Sequence, residues 1–302
     1  MILQPISPFV QKIFESYEKL RPCFMSEGHF LNQFLWESYY HTMFATDDIA
    51  LYLFFEYRGE KKAFCPLCSV DDLPEAFRRM EKQFHDEWNA PLDIYLVDDL
   101  TKNVWEQAGL LKNYTRTAER DSFDYIYEAE KLKTLSGRAM HKKKNLVNSF
   151  LREYEGRFVY ETLGCGDIEE VKEFHEKWLD ERRHYDRFNC IDDEEEGVYR
   201  LLGNCKSIDC AMGGIRMDGK IVAYTIGSYC PSIQCAFIHI EKAEPEIKGL
   251  YNYINPQFLI HEFPDAVYVN REDDLGQDNL RQAKLSYKPI RLEEKYYIQE
   301  KR

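Results

Sequence analysis

One short pattern occurs twice in this chain, and it limits the possible folds more than any other feature. Asp93-Ile-Tyr-Leu-Val-Asp-Asp-Leu leads through a short helical stretch to Phe123-Asp-Tyr-Ile-Tyr. Ala266-Val-Tyr-Val-Asn-Arg-Glu-Asp-Asp-Leu leads in the same way to Glu294-Lys-Tyr-Tyr-Ile. Asp98-Asp99-Leu100 thereby falls on Asp273-Asp274-Leu275. A strand–helix–strand order near the end of each half predicts two similar α+β halves rather than one large sheet. The join lies near 130–150, which assigns residues 1–135 to a first domain and 136–302 to a second. With 302 residues in all, each half can bury a core of its own.

The remaining periodicity fits this plan. Ser7 stands as N-cap before a helical stretch at 8–20 that carries Phe9, Val10, Ile13, Phe14, Tyr17 and Leu20. Ile49 to Tyr57, the turn Arg58-Gly59-Glu60, and Ala63 to Cys65 read as a hairpin. A helix follows Pro74, with Phe77, Met80, Phe84 and Trp88 on its apolar side. In the second half a strand at 157–163 precedes a helix capped by Asp167, and a second helix runs from about Asp192 to Leu202. Three strands follow at 208–216, 221–229 and 233–240, the first two joined by Asp218-Gly219, a strong hairpin signal. A helix at about 247–261, a strand at 266–269, a helix at 279–285 and a strand at 292–298 complete the chain.

Composition excludes several classes. Forty basic against 53 acidic side chains give a net charge of -13, which argues against a DNA-coating protein. No apolar run approaches the ~18–20 residues needed to cross a bilayer. Residues 1–12 lack a basic region followed by an apolar one, so a cytoplasmic protein is expected. Nine scattered cysteines suggest free thiols in a reducing compartment. Cys65-Pro-Leu-Cys68 has no second ligand pair to complete a zinc site, so two thiols beside a turn are expected and no metal. No Walker A loop, GxGxxG, GxSxG or HExxH occurs.

Chemistry could sit in three places. The join is locally basic: residues 131–157 hold Lys131, Lys133, Arg138, Lys142, Lys143, Lys144, Arg152 and Arg157 against Glu153 and Glu155. Met140 to Tyr154 is helical in period, with Met140, Val147, Phe150, Leu151 and Tyr154 on one face and His141, Lys144, Asn145, Asn148 and Arg152 opposite. Lys143 projects on the apolar side. The helix is either an anion site for a phosphate-bearing ligand or a linker with a solvated basic face and a snorkelling Lys143. The loop Asn270 to Gly276 follows a strand and precedes a helix with Arg281 and Lys284. Asn270, Asp273, Asp274 and Arg281 could form a polar cluster there, or cap the helix. His239 and Glu241 share one face of a strand and Lys242 the other, as an acid–base set or as an ordinary cross-strand ion pair. Asp192 to Glu196 reads as a solvated helix start rather than a metal site.

Three blocks in order, LSGRAMHKKKNLVNSFLREY (135–154), IVAYTIGSY…HIEKAEPEIKGLYNYIN and VNREDDLGQDNLRQAKLSYKPIRLEEKYYI, resemble the bacterial family related to the C-terminal domain of phosphatidylglycerol lysyltransferase. The resemblance implies two tandem GNAT-like (acyl-CoA N-acyltransferase-like) α+β domains. Each would be a mixed, mostly antiparallel sheet flanked by helices, with a basic linker helix at about 138–154. It implies aminoacyl transfer from an aminoacyl-tRNA donor to a hydroxyl or amine of a small-molecule or lipid acceptor. Acyl-CoA is the alternative donor, and a non-catalytic binding protein on the same fold the other rival. The lipid-modifying members carry a transmembrane flippase region that has no counterpart in this sequence.

The family-like positions include Asn255, Asn270, Lys284 and Tyr287, besides Arg138, His141, Lys143 and Asn145. In the implied chemistry Lys242 or Arg281 stabilises an oxyanion, and Asp274 or Glu241 orients or deprotonates the acceptor. Arg138, Lys143 and Lys144 hold the donor's phosphates. The pyrophosphate loop of CoA-using enzymes, Gln/Arg-x-x-Gly-x-Gly/Ala, is reduced here to Glu244-Pro-Glu-Ile-Lys-Gly249-Leu. That leaves fewer backbone N–H groups for a pyrophosphate.

Overall fold

The computed structural model describes residues 1–183 and 190–302, without the side chains of 182, 183 and 190–192. Their residues group into two compact units. The first sheet has the order β1 (Gln4–Pro5), β2 (Met43–Thr46), β3 (Ala50–Tyr57), β4 (Glu60–Phe64), β6 (Asp93–Asp98), β15 (Lys295–Glu300), β7 (Tyr114–Ala118), and β5 (Leu67–Cys68) pairs with β3. Helices α1 (Gln11–Glu18), α2 (Phe30–Leu35), α3 (Glu37–Tyr40), α4 (Leu73–Lys82) and α5 (Asp99–Gln107) belong to this unit. The second sheet has the order β14 (Arg291–Glu293), β8 (Asp124–Glu128), β13 (Tyr268–Asn270), β12 (Cys235–Ala243), β11 (Lys220–Cys230), β10 (Ala211–Met217), β9 (Phe158–Leu163). Its helices are α6 (Ala129–Thr134), α7 (His141–Glu153), α8 (Ile168–Arg183), α9 (Cys190–Gly203), α10 (Leu250–His261) and α11 (Asp278–Ser286).

The repeat is real, but its last strands are exchanged. β4 runs parallel to β6, and β12 parallel to β13. Each parallel strand then pairs with an antiparallel one: β6 with β15, and β13 with β8. The strand expected to close the first half therefore lies in the second sheet, and the strand expected to close the second half lies in the first. A single cut after residue 135 does not describe this. The first unit is Met1–Asp124, Asp273–Gln277 and Leu292–Arg302, and the second is Tyr125–Glu272 and Asp278–Arg291.

Turn chemistry set the hairpins as expected. Arg58 and Gly59 (φ 53° and 78°) join β3 to β4, and Asp218 and Gly219 (φ 48° and 84°) join β10 to β11. Positive φ at both central residues matches the twist of the flanking strands. The 8–20 stretch departs from its expected helix. It splits into a short 3₁₀ turn and α1, Ser7 makes no capping bond, and Phe9 is 83% exposed.

β15 is tied into the first unit by charge. Lys295 is fully buried, and its Nζ donates to Asp124 Oδ1 and Glu27 Oε1, each at 2.8 Å. The Ser26 N–H binds the other Asp124 oxygen at 2.8 Å. Glu27, Asp124 and Asp273 bring carboxylate oxygens within 4.8 Å of one another. The lysine ammonium supplies positive charge at that cluster.

In the second unit Phe150 of α7 and Leu250 and Ile254 of α10 pack with Ile215, Met217, Ala223 and Ala243 of the sheet. The chain enters α10 through Gly249 at φ 89°, where a Cβ would come within 2.4 Å of the Leu146 carbonyl oxygen. Neither the dihedral nor the space admits a side chain. Gly249→Ala is expected to cost about 2–4 kcal/mol, read as a shifted urea midpoint. A loss under ~0.5 kcal/mol would show that α7 yields easily at this point.

The expectation of free thiols throughout is corrected. Cys165, after β9, and Cys205, after α9, form a disulfide with Cα atoms 5.8 Å apart. A separation of 40 residues hid this pairing in the sequence. Cys65 and Cys68 are free and buried, and burial raises both thiol pKa values, Cys68 to about 12. Among the described residues no helix is long and apolar enough to cross a membrane.

Candidate active site

The second unit buries a polar network centred on Glu241 of β12. Its Oε1 accepts from Arg271 Nη2 at 2.9 Å, and its Oε2 from Asn255 Nδ2 of α10 at 2.7 Å. Arg271 follows β13, and its guanidinium lies 5.0 Å from the centre of the Tyr287 ring. Asn252, one turn before Asn255, donates to the Tyr287 hydroxyl at 2.6 Å. Lys284 of α11 donates to the Arg271 carbonyl at 2.6 Å, and the Tyr127 hydroxyl to the Lys284 carbonyl at 2.8 Å. Two polar atoms in this network remain buried without a hydrogen-bond partner: Arg271 Nη1 and Asn255 Oδ1. Such atoms are costly unless a ligand satisfies them.

Lys143 joins the same network from α7. Its Nζ is 3.9 Å from the Tyr287 ring centre and donates to Ser286 Oγ at 2.6 Å. Burial, and then the Arg271 cation, push its pKa below the usual lysine value. The sequence placed Lys143 on the inner side of the helix, and the tyrosine ring explains why a cation is tolerated there. The outer side also follows the expectation: His141, Lys144, Asn145, Asn148 and Arg152 are exposed, and so are Arg138 and Lys142. Leu151 departs from it. It is 38% exposed and lines a surface hollow with Asn145, Asn148 and Arg152.

The other expected residues lie elsewhere. Lys242 pairs with Glu194 at 2.6 Å and stacks 4.3 Å above Trp178 of α8. It thus engages different elements from Glu241, as strand alternation requires. Asp192, the first residue of the run at 192–196, lies outside the described side chains. Asn270 is buried, and its Oδ1 accepts from the Glu272 N–H at 2.6 Å. Asp274 belongs to the first unit. It is fully buried, with Oδ2 3.2 Å from Arg120 Nη1 and Oδ1 accepting from the Gly276 N–H at 3.0 Å. Both oxygens shape a loop. Arg281 lies half-buried on α11.

Sequence reasoning therefore located Glu241, Asn255, Lys143, Lys284 and Tyr287, and the structure joins them. It missed Arg271 and Asn252. Arg271 stands inside the loop singled out in the sequence, and only the fold turns it toward Glu241.

Three solved structures share this architecture. A conserved protein of unknown function from Bacteroides thetaiotaomicron is 26% identical over the whole of both chains, with a TM-score of 0.92. L-PGS from Bacillus licheniformis is 15% identical, covering 100% of this chain and 94% of its own, with a TM-score of 0.70. FemX is 10% identical over 99% of this chain and 97% of its own, with a TM-score of 0.64. The last two speak for the fold alone, and they agree with two tandem GNAT-like domains. The family model described as phosphatidylglycerol lysyltransferase, C-terminal, matches residues 20–299, and the chain belongs to that family.

Proposed function

We propose that this protein transfers an aminoacyl group from an aminoacyl-tRNA ester to a hydroxyl or amine acceptor. Membership in a family named for a lysyltransferase supports acyl transfer as the class. The observation that carries the choice of donor is the position of α7 against the start of α10. In acyl-CoA enzymes of this fold that helix start would hold the pyrophosphate. The residues here fit it poorly. The Leu146 carbonyl and Phe150 close on Gly249, and the Leu250 N–H is already bonded to the Ile247 carbonyl at 3.2 Å. Meanwhile α7 turns Lys142, Lys144 and Arg152 outward, where they suit the phosphates of an RNA.

In this reading the buried network holds the reacting end of the donor. Arg271 Nη1 and Asn255 Oδ1 have unused hydrogen-bonding capacity, one a donor and one an acceptor. Lys143 has no carboxylate partner among the described residues and can meet a negative charge. Glu241 keeps Arg271 and Asn255 in place.

The test is filter binding to charged and uncharged tRNA across a salt series. Aminoacylated tRNA is expected to bind more tightly, with a steep salt dependence. Replacing Lys142, Lys144 and Arg152 with Ala should reduce the log–log slope by roughly 0.7–0.9 for each phosphate that is no longer neutralised. Absence of tRNA binding at low salt, together with strong thermal stabilisation by acyl-CoA, would reverse the assignment of the donor.

A further inference from the structure

We propose that Ser228, His239 and Glu272 form a nucleophilic triad that takes the acyl group from a carboxylic ester as an acyl-serine. Ser228 lies on β11, His239 on the neighbouring β12, and Glu272 just after β13. Ser228 Oγ is 2.8 Å from His239 Nε2, and His239 Nδ1 is 2.8 Å from Glu272 Oε1. An ionised carboxylate only accepts, so it selects the tautomer with the proton on Nδ1. The Nε2 lone pair then faces the serine hydroxyl, the arrangement a general base needs. The imidazole side chain is fully buried, while Ser228 is partly exposed. The base is shielded and the nucleophile can be reached.

The backbone shows how these groups are aimed. Ile226 pairs with Ile240 but Gly227 with Ile238, so His239 is the extra residue of a bulge on β12. Bulges redirect side chains and occur next to reactive sites. Glu272 sits in the left-handed region at φ 55°. It is held there by its N–H bond to Asn270 Oδ1 at 2.6 Å and by its carbonyl, which accepts from the Tyr125 N–H at 3.2 Å. A non-glycine residue in that region is uncommon and persists where the surroundings over-determine it. The hydrogen bonds described around Glu241 do not involve Ser228 or His239.

The chemistry balances without a further reagent. The Ser228 Oγ–carbonyl carbon bond forms as its proton passes to His239 Nε2. The carbon–oxygen bond to the leaving alcohol breaks as that proton passes on to the alcohol oxygen. In the second step the acceptor gives its proton to Nε2 and attacks the acyl carbon, and Ser228 recovers its hydroxyl. His239 is the general base and Glu272 a positioning residue.

The proposal rests on the acyl-transfer reading for the identity of the donor, but the nucleophile can be tested without any donor. The full-length protein is treated with a fluorophosphonate, which phosphonylates an activated serine and releases fluoride, and the modified peptide is located by mass spectrometry. Labelling at Ser228 is expected. Ser228→Ala should abolish it, and His239→Gln should slow it by about 1,000-fold. Glu272→Gln should slow it at least about 100-fold, with partial rescue by Glu272→Asp and an unchanged melting temperature. No labelling of Ser228 while a control serine hydrolase is fully labelled would overturn the triad. Equal labelling rates in the wild type and His239→Gln would overturn it too. Labelling of Ser228 without tRNA-dependent transfer would leave the triad standing and remove the donor.

Discussion

Replacing Lys295 with Met is expected to lower stability by about 3–5 kcal/mol, the usual result when one partner of a buried charge cluster is removed. Glu27 and Asp124 would remain buried without their common cation. The effect should depend on pH. Burial raises the Glu27 pKa from an ordinary 4.5 to about 7, with Lys295 opposing the rise. A carboxyl raised on folding binds more protons folded than unfolded. Its contribution is full below about pH 4.5 and lost as pH rises through about 7. Without Lys295 the folded pKa rises further, and the pH window of destabilisation widens upward. Urea unfolding at pH 5 and pH 8 should therefore show a larger difference between variant and wild type at pH 8. An equal difference at both would mean that Lys295 acts through packing and not through charge.

In the proposed aminoacyl transfer, Lys143→Ala is expected to reduce the rate about 10- to 100-fold, while Lys144→Ala changes it only a few-fold. The two lysines are adjacent in sequence and face opposite surroundings. Lys143 bonds Ser286 Oγ and stacks on Tyr287, whereas Lys144 is exposed. A partly buried, charge-assisted bond is worth roughly 1.5–3 kcal/mol, and an exposed charge far less, with strong screening by salt. Steady-state transfer in low and high salt checks both. Raising salt should erase the Lys144 effect and leave most of the Lys143 effect. If the two substitutions respond identically, the inward network has no part in transfer.

Much of the local structure could be read from the residues. The hairpin at Asp218-Gly219 followed from turn chemistry, because few residue pairs accept two positive φ angles. The two faces of α7 followed from a 3.6-residue period, and the inward Lys143 with them. The repeated Asp-Asp-Leu text aligned Asp98 with Asp273, but the aspartate that binds a loop N–H and an arginine in the second copy is Asp274, one position later. Asp98 accepts from the Thr101 N–H and pairs with Arg21, and Asp274 accepts from the Gly276 N–H and pairs with Arg120.

Other parts depended on distances along the chain that no local pattern encodes. Cys165 and Cys205 meet because β9, α8 and α9 fold back on one another. Arg271 reaches Glu241 only when β13 pairs with β12. The bulge that aims His239 is a register shift between two strands, and alternation within one strand cannot reveal it.

Local signals along the chain were enough to specify two similar α+β halves. Periodicity, turns and caps act over a few residues, and they are repeated in both halves. Which sheet each final strand completes is visible only in the strand pairing, β8 with β13 and β15 with β6. β8 (Asp-Tyr-Ile-Tyr-Glu) and β15 (Lys-Tyr-Tyr-Ile-Gln-Glu) are both short and tyrosine-rich, and β13 and β6 each take one of them antiparallel on the edge opposite their parallel neighbour, so local preference does not decide the pairing. The choice falls to interactions made at long range. Lys295 on β15 is neutralised only where Glu27 and Asp124 surround it. Burying its charge elsewhere would cost several kcal/mol, and that cost selects the first sheet for the last strand.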